Sequence, residues 1–143
     1  MSQPQVDSIV AAMSEAAAKA AEKLAKLAVE ETGFGVERDK TTKNLFAART
    51  VYESIRGVKS IGIIREDKEK KILEAAVPVG VVAGLAPSTN PTSTAIFKAL
   101  ICAKAGNALV ISPHPSAVNC IRETVRVLSD AACAKGAPEG LIS

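Results

Sequence analysis

Aromatic side chains are scarce in this sequence. Tryptophan is absent, one tyrosine and three phenylalanines bring the aromatic share to 3%, and histidine occurs once. Proteins that bind single-stranded nucleic acid usually stack bases on aromatic rings beside clustered Lys and Arg. Here 18 basic and 15 acidic residues leave a net charge of +3, spread along the chain. The composition therefore argues against nucleic acid as a partner.

Cysteine is also rare, and Cys102, Cys120 and Cys133 are the three that occur. An odd number without CxxC spacing indicates neither a disulfide framework nor a zinc site, so no metal is expected. All three fall within predicted helices, where small buried residues are usual, and none is predicted to be a nucleophile. The first twenty residues lack the apolar segment of a secretory signal. We expect a reduced, cytoplasmic setting.

No apolar run is long enough to cross a bilayer, so a membrane is not an expected partner. The longest, Ala75–Pro87, falls short of the roughly 20 residues that a membrane helix needs. Apolar residues nevertheless make up 48% of the chain. With so few rings, the core must be built from Ala, Val, Ile and Leu. The 143 residues correspond to one domain or to part of a larger one.

The first half of the chain predicts helices followed by a hairpin. Apolar residues from Gln3 to Glu31 recur every three or four positions, which predicts one long amphipathic helix. A second helix is predicted from about Thr42 to Arg56. The segments Ser60–Ile64 and Lys71–Ala76 then predict two short strands. The charged segment between these strands is typical of a solvated hairpin tip.

The second half predicts alternating strands and helices. The run VPVGVVAGLAP predicts a strand covered on both faces, and NALVIS predicts another. Helices are predicted over Pro91–Gly106 and Ser116–Lys135, and the final LIS starts a third strand. This alternation implies parallel strands joined by right-handed crossovers, an α/β fold. Because the chain stops as the third strand begins, we expect a fragment of a longer polypeptide.

Two loops follow the predicted parallel strands, Ala86–Asn90 and Ser112–Pro115. Ligands of open α/β sheets bind beyond the carboxyl ends of the strands, so both loops are candidate binding segments. Neither contains GxGxxG or a Walker sequence. Ser88, Thr89 and Ser112 have hydroxyls that suit phosphate binding and turn formation equally well.

Asn90 stands directly before a predicted helix and has two interpretations. As an N-cap, its side-chain oxygen would accept a hydrogen bond from a first-turn N–H group. As a catalytic group, its amide nitrogen would donate to an oxygen that gains negative charge in acyl chemistry. Spacing alone favours capping.

His114, between two prolines, suits a general base or a phosphate contact, but without a nearby Cys, Ser or acidic partner an exposed loop histidine is favoured.

The segment VPVGVVAGLAPSTNPTSTAIFKALICAKAGNALVISPHPSA resembles the aldehyde dehydrogenase superfamily. It contains a PVGV strand, a proline-containing loop ending in Asn, and GNALV before the next loop. The segments PSTNPTSTAIFKAL and SPHP are similar to those of the CoA-acylating branch. This branch includes acetylating acetaldehyde dehydrogenases and the aldehyde dehydrogenase half of bifunctional alcohol/aldehyde dehydrogenases. With QVDSIV, LAVEETGFGVERDKTTKN and GAPEGLI, the resemblance covers nearly all 143 residues.

The resemblance implies an architecture for each part of the chain. Residues 1–59 would form the N-terminal helices of the cofactor-binding domain, and residues 60–77 a hairpin arm through which a homo-oligomer assembles. Residues 78–143 would form the first units of a Rossmann-type parallel sheet that binds NAD. The family's nucleophilic cysteine would lie beyond Ser143, so we expect no turnover from the 143 residues alone.

The resemblance also implies a reaction. A cysteine thiolate attacks a small aldehyde, hydride passes to NAD, and coenzyme A takes up the acyl group as co-substrate. Two alternatives stay open beside this one. The chain could be a stand-alone nucleotide-binding or assembly module without catalysis. It could also belong to a phosphate-linked semialdehyde dehydrogenase of the same superfamily.

The resemblance assigns roles to particular positions. Asn90 matches the loop asparagine that supplies an oxyanion-hole donor. The residues expected to border the nicotinamide end of the cofactor are Leu85, Ala86, Pro87, Ser88, Thr89 and Asn90 itself. Those expected to border its adenosine end are Ser112, Pro113, His114 and Pro115. Ordinary family members carry lysine at the position of Ser112 and often glutamate at that of Pro115, both near the adenosine ribose. Because this chain lacks both residues, the family's ribose contacts cannot be assigned to it residue by residue.

Overall fold

The structure is a computed structural model that describes residues 1–143. It contains six α-helices and four β-strands. The helices are α1 (Gln3–Lys19), α2 (Ala21–Thr32), α3 (Glu37–Leu45), α4 (Val51–Ile55), α5 (Pro91–Lys104) and α6 (Val118–Cys133). The strands are β1 (Gly62–Asp67), β2 (Ile72–Ala76), β3 (Val81–Ala86) and β4 (Ala108–Pro113). A π-helical segment, Phe46–Thr50, joins α3 to α4, and a 3-10 turn, Pro115–Ala117, precedes α6.

The single helix predicted over Gln3–Glu31 is wrong, because the chain forms α1 and α2 with an interruption at Ala20. Ala20 has φ −89° and ψ 0°, outside the ideal helical range. Its N–H group still donates to the carbonyl of Ala16 at 3.0 Å, so the apolar periodicity continues through the interruption. Helix α1 packs on α5 and α6, whereas α2 packs chiefly on α3. The pattern of apolar residues could not reveal this change of partner.

The second predicted helix begins too late, at Thr42, because α3 starts at Glu37. The cause is the kind of residue that α3 buries. Its two buried side chains are Lys40 and Asn44, both polar. A prediction based on apolar spacing has no signal in such a helix. The predicted end near Arg56 agrees with the end of α4 at Ile55.

The parallel sheet confirms the predicted α/β fold. Strands β3 and β4 pair in parallel from Val81 opposite Ala108 to Ala86 opposite Pro113, and α5 forms the crossover. The final residues add a parallel bridge between Leu109 and Ile142, where a third strand is predicted. The core side chains are aliphatic or small, and no aromatic ring is among the buried residues. That composition matches the core expected from the sequence.

Within these 143 residues β3 is covered on one face only, where the sequence predicts cover on both. Helices α5 and α6 pack against each other, and α5 also packs on β3 and β4, so both helices lie on one face of the sheet. The right-handed hand that is usual for crossovers between parallel strands gives the same arrangement. On the other face, Val81 and Leu85 are 70% and 72% exposed, and Val110 is 48% exposed. An apolar sheet face therefore stands open to solvent within these residues.

The hairpin of β1 and β2 forms a separate two-stranded antiparallel sheet. Strand β1 extends to Asp67, beyond the predicted end at Ile64, so the turn is shorter than predicted. The base of the hairpin is fixed by Gln3, whose Oε1 accepts from the backbone N–H groups of Ser60 (2.8 Å) and Ile61 (2.9 Å). Most hairpin side chains are exposed, including the apolar ones Ile63, Ile64, Ile72 and Leu73.

Candidate functional site

The carboxyl ends of β3 and β4 lie side by side. The parallel register places Leu85 opposite Ser112 and Ala86 opposite Pro113. The N–H group of His114 donates to the carbonyl of Ala86 at 2.9 Å, which extends the contact just past the strand ends. The structure thus brings together the two loops that the sequence singles out.

Asn90 occupies the N-cap position of α5, but its side chain does not cap the helix. Only its backbone carbonyl serves the helix, accepting from the N–H group of Thr94 at 3.2 Å. The side-chain Oδ1 accepts instead from Lys43 Nζ at 3.0 Å. Capping, the role favoured by spacing, is therefore wrong. The amide Nδ2 makes no hydrogen bond to the chain's own atoms and is available as a donor.

Helix α3 supplies two ammonium groups to the loop before α5. Lys40, 5% exposed, donates from Nζ to the carbonyl of Thr89 at 2.8 Å. Burial, and then repulsion from Lys43, lowers the pKa of Lys40. Lys40 and Lys43 are three positions apart and share one side of α3, so they reach consecutive residues of the loop. Reasoning from the sequence missed both lysines.

A buried hydrogen-bond chain joins α3 to the first turn of α5. Asn44 is fully buried; its Nδ2 donates to the carbonyl of Ala21 at 3.0 Å, and its Oδ1 accepts from the Thr92 hydroxyl at 2.8 Å. Thr92 lies two residues after Asn90. Sequence reasoning missed this link as well. The available signal was the spacing of Lys40, Lys43 and Asn44, which places three polar residues on one side of a helix.

An open cavity of about 620 Å³ lies beside Asn90. It is lined by Thr42, Lys43, Phe46, Ala47, Val51, Asn90, Ser93, Thr94 and Phe97. The π-helical segment contributes Phe46 and Ala47, and π-helical turns are often found at functional sites. The cavity combines apolar walls with a few polar groups near Asn90. Such a site suits a small molecule with an apolar body and a polar head.

The loop between β3 and Asn90 is held mainly through its backbone. Lys98 Nζ donates to the carbonyl of Leu85 at 2.6 Å, while the Leu85 side chain is exposed. Ala86 is buried and Ser88 is half-buried. Pro87 and Thr89 are exposed. The side chains of this loop therefore present apolar surface and hydroxyl groups at the edge of the sheet.

The second loop is arranged around His114. Its Nδ1 accepts from the N–H group of Ser116 at 3.2 Å and so caps the 3-10 turn. The same Nδ1 lies 2.9 Å from the Ser116 hydroxyl oxygen. The ring is exposed, as predicted, but the expectation that it lacks a serine partner is wrong. Ser112 and Pro115 are exposed and Pro113 is half-buried.

Neither buried thiol has the properties of a nucleophile. Burial raises the pKa of Cys102. Burial, and then the neighbouring Glu31 carboxylate, raises the pKa of Cys120 to about 12. Cys133 is exposed, but it lies at the end of α6, the end that leads away from the loops. No group of three or more His, Cys, Asp or Glu side chains is positioned to hold a metal ion.

The fold and the site define a class of protein. A parallel α/β sheet carries two loops at its carboxyl edge, and a side-chain amide beside an apolar cavity stands at the first of them. Ligands of open α/β sheets bind at this edge, so the arrangement is the one expected of a ligand-binding domain. None of its helices combines the length and hydropathy needed to span a membrane.

Comparison with known proteins identifies the family. The chain belongs to the aldehyde dehydrogenase family, whose model matches residues 1–143. It is 44% identical to the bifunctional aldehyde-alcohol dehydrogenase AdhE of Escherichia coli K12 over 98% of this chain and 16% of that protein. This confirms the resemblance to the acylating branch. The chain thus spans about a sixth of that relative.

Solved structures confirm the fold. An acetylating aldehyde dehydrogenase from Geobacillus thermoglucosidasius matches with a TM-score of 0.99 and 59% identity, over 100% of this chain and 32% of that one. The propionaldehyde dehydrogenase of Rhodopseudomonas palustris with bound propionyl-CoA matches with a TM-score of 0.80 and 30% identity, over 99% of this chain and 31% of that one. The chain covers about a third of each structure.

Proposed function

We propose that this chain is the N-terminal part of an NAD-dependent, CoA-acylating aldehyde dehydrogenase and that Asn90 is its oxyanion-hole donor. The overall reaction converts an aldehyde, NAD⁺ and CoA into acyl-CoA, NADH and a proton. One observation carries the proposal. The Asn90 side chain turns away from the helix cap toward Lys43, which leaves Nδ2 without a partner at the edge of a largely apolar cavity.

The chemistry requires a donor at this place. When a thiolate attacks the aldehyde carbon, a C–S bond forms and the carbonyl π pair moves onto oxygen, which becomes negatively charged. A preorganised N–H group facing that oxygen stabilises the charge at little reorganisation cost. In the proposal the thiolate comes from a part of the enzyme outside these 143 residues. Asn90 supplies the N–H group.

The cavity would receive the aldehyde. Phe46, Ala47, Val51 and Phe97 offer apolar contact to its carbon chain, while Asn90 stands where the carbonyl must arrive. Apolar walls with few polar groups orient a small substrate in this way. We therefore assign a small aldehyde with an apolar substituent as substrate.

The two loops suit a dinucleotide and would hold NAD at 85–90 and 112–115. Neither loop contains an Asp or Glu that would repel phosphates, and the exposed residues are apolar or carry hydroxyl groups, apart from the His114 imidazole. When bound, NAD⁺ accepts the hydride that the reaction releases. Lys98 keeps the Leu85 carbonyl in place, and Lys40 does the same for that of Thr89. The structure bound to propionyl-CoA supports coenzyme A as co-substrate.

The hairpin at 60–77 would join subunits into a homo-oligomer. Its exposed apolar side chains support that role. We also propose a cytoplasmic location, because the reaction uses soluble nucleotide cofactors.

The proposal is tested on the full-length enzyme to which the chain belongs. We expect NADH formation from a short aldehyde to require CoA and to yield acyl-CoA, measured by NADH absorbance and mass spectrometry. If phosphate replaces CoA and acyl phosphate forms, the phosphate-linked alternative is correct. If nucleotide binds but no aldehyde is oxidised, the non-catalytic module is correct. Either result contradicts the proposal.

Asn90→Ala tests the assigned donor in the same assay. Loss of one oxyanion-hole donor lowers kcat by about 10²- to 10³-fold, and we expect a loss of that size with a much smaller change in KM. The matched control is Asn119→Ala, which removes an exposed amide at the start of α6 whose Nδ2 donates to Glu31 Oε1 at 3.0 Å. We expect kcat of the control within about threefold of wild type, since it lies away from the cavity. Full activity of Asn90→Ala would contradict the assignment.

A further inference from the structure

The amide of Asn90 has one hydrogen-bond partner in the chain, and that partner is a cation. Lys43 Nζ lies 3.0 Å from Asn90 Oδ1, although 47 residues separate them in sequence. An ammonium group carries three donors and no acceptor. The amide atom that faces it must therefore be the oxygen, because the NH₂ group would meet it donor to donor. This contact fixes which end of the amide is free.

The contact also affects the strength of the free donor. A hydrogen bond to a charged group is roughly twice as strong as a neutral one, and it draws electron density toward the amide oxygen. The N–H bonds of the same amide become better donors, as in hydrogen-bond chains whose members polarise one another. Nδ2 is thus both oriented and activated through the oxygen end of its amide, by a lysine that lines the same cavity.

The position of Lys43 is itself determined by buried contacts. Lys40 on the same helix is 5% exposed and donates to the carbonyl of Thr89, the residue before Asn90. Asn44, adjacent to Lys43, is fully buried and bonds Thr92 in the first turn of α5. Helix α3 is therefore attached on both sides of Asn90. An exposed lysine on such a fixed base loses less freedom when it makes its contact.

We infer that Lys43 is a positioning residue for catalysis, which orients the Asn90 amide and polarises it toward the substrate oxygen. The inference rests on the proposed role of Asn90. Lys43 also lines the cavity, but in this inference it acts through Asn90 and not through a contact of its own with the aldehyde. Its contribution belongs to the transition state, where the oxygen charge is largest, and so falls on kcat more than on KM.

The test is a substitution series at Lys43 in the full-length enzyme. Lys43→Met removes the donor, Lys43→Gln keeps a neutral donor, and Lys43→Arg keeps a charged one. We expect kcat to fall by about 10- to 100-fold in Lys43→Met, the size of a lost charge-assisted hydrogen bond. Lys43→Gln should be intermediate and Lys43→Arg should restore kcat to within several-fold of wild type. Lys26→Met, at an exposed lysine of α2, is the matched control and should keep full kcat.

A double-mutant cycle separates an effect through Asn90 from an independent one. If Lys43 acts through the amide, Lys43→Met should lower kcat by no more than about twofold once Asn90 is already Ala. An additive loss in that background would overturn the inference. Wild-type kcat in Lys43→Met together with a large loss of kcat in Asn90→Ala would also overturn the inference. That result would leave the proposed function intact. Full kcat in Asn90→Ala would overturn both.

Melting temperature gives the readout that a purely structural role would move. Lys43 is exposed, and exposed polar contacts contribute little to folding stability. We expect Lys43→Met to keep the melting temperature of wild type while kcat falls. A loss of kcat that follows a lowered melting temperature and recovers on cooling would assign Lys43 a structural role and overturn the inference.

Discussion

At the scale of single residues, contacts between distant parts of the chain decide what each polar side chain does. Asn90 stands where the sequence places it, between a strand and a helix, yet its partner is Lys43 on α3. Local spacing indicates a cap because caps are local features. The contact to Lys43 depends on the packing of α3 against α5, which no short stretch of sequence encodes. The position was predictable and the role of its oxygen was not.

Glu31 shows the same principle at another helix end. Its carboxylate accepts from the backbone N–H groups of Asn119 (2.8 Å) and Cys120 (2.7 Å), and so caps α6 from α2. Burial raises the pKa of Glu31, but these hydrogen bonds outweigh burial and lower the pKa below its ordinary value. A carboxylate near a helix N-terminus is also stabilised by the helix dipole.

Glu31→Gln should therefore lower the free energy of unfolding near neutral pH by about 1 kcal/mol. Because the folded-state pKa is lowered, the carboxylate's contribution is fully present above about pH 4.5 and is lost as pH falls through the folded-state pKa. Urea denaturation at a series of pH values measures the difference between variant and wild type. The difference should shrink in acid, and Glu30→Gln should show little effect at any pH. A constant difference would contradict this account.

At the scale of helices and strands, the apolar pattern predicted most elements of the second half. Strands β3 and β4 and helices α5 and α6 all occur where alternating apolar runs and helical spacing place them. The start of α3 was missed because that helix buries Lys40 and Asn44, and the open face of β3 was missed because an apolar run does not reveal what covers it. Apolar spacing indicates which side chains are to be buried, but it does not show which part of the whole molecule covers them.

The join between α5, the hairpin base and β4 depends on one glycine. Gly106 follows α5 with φ +74°, in the left-handed region. A Cβ there would lie 2.9 Å from Ile61 Cδ1 and 3.1 Å from Pro78 Cγ. The backbone angle favours glycine at this position, and the Pro78 ring adds to that preference, whereas the end of the Ile61 side chain can turn aside.

Gly106→Ala should therefore destabilise the fold by more than backbone strain alone. The matched control is Gly136→Ala, where φ is +82° and no atom lies within 4 Å of the added Cβ. Strain of about 1–2 kcal/mol is common to both variants. Overpacking against the Pro78 ring should add about 1 kcal/mol to Gly106→Ala alone, the low end of the usual range, because the Ile61 side chain can move aside. Urea denaturation measures the free energy of unfolding of both variants. Equal losses would show that the residues at the hairpin base move aside at no energetic cost and would contradict this prediction.

At the scale of the whole molecule, two apolar surfaces stand exposed. One is the open face of the parallel sheet, with Val81, Leu85 and Val110. The other is the hairpin, where Ile63 and Leu73 are 50% and 59% exposed. Contiguous apolar surface of this kind marks contact with other protein, and the chain spans about a third of its structural relatives. The resemblance to the family was recognisable from short motifs, but neither surface could be seen in them.

Leu73→Asp tests the proposed role of the hairpin. Burying a carboxylate in an apolar subunit interface is costly, so the charge should shift the full-length enzyme toward smaller species. Light scattering coupled to size-exclusion chromatography measures the mass of wild type and variant. Glu69→Lys, at the exposed hairpin turn, changes charge without removing apolar surface and should leave the mass unchanged. An oligomer unaffected by Leu73→Asp would place the interface elsewhere.

The most direct measurement is a crystal structure of the full-length enzyme with a substrate acyl group on its nucleophile. We predict that Asn90 Nδ2 lies about 2.7–3.1 Å from the acyl carbonyl oxygen, the range for an oxyanion-hole donor. Lys43 Nζ should at the same time contact Asn90 Oδ1. An Asn90 amide that instead caps α5, or that faces solvent away from the acyl oxygen, would contradict the account.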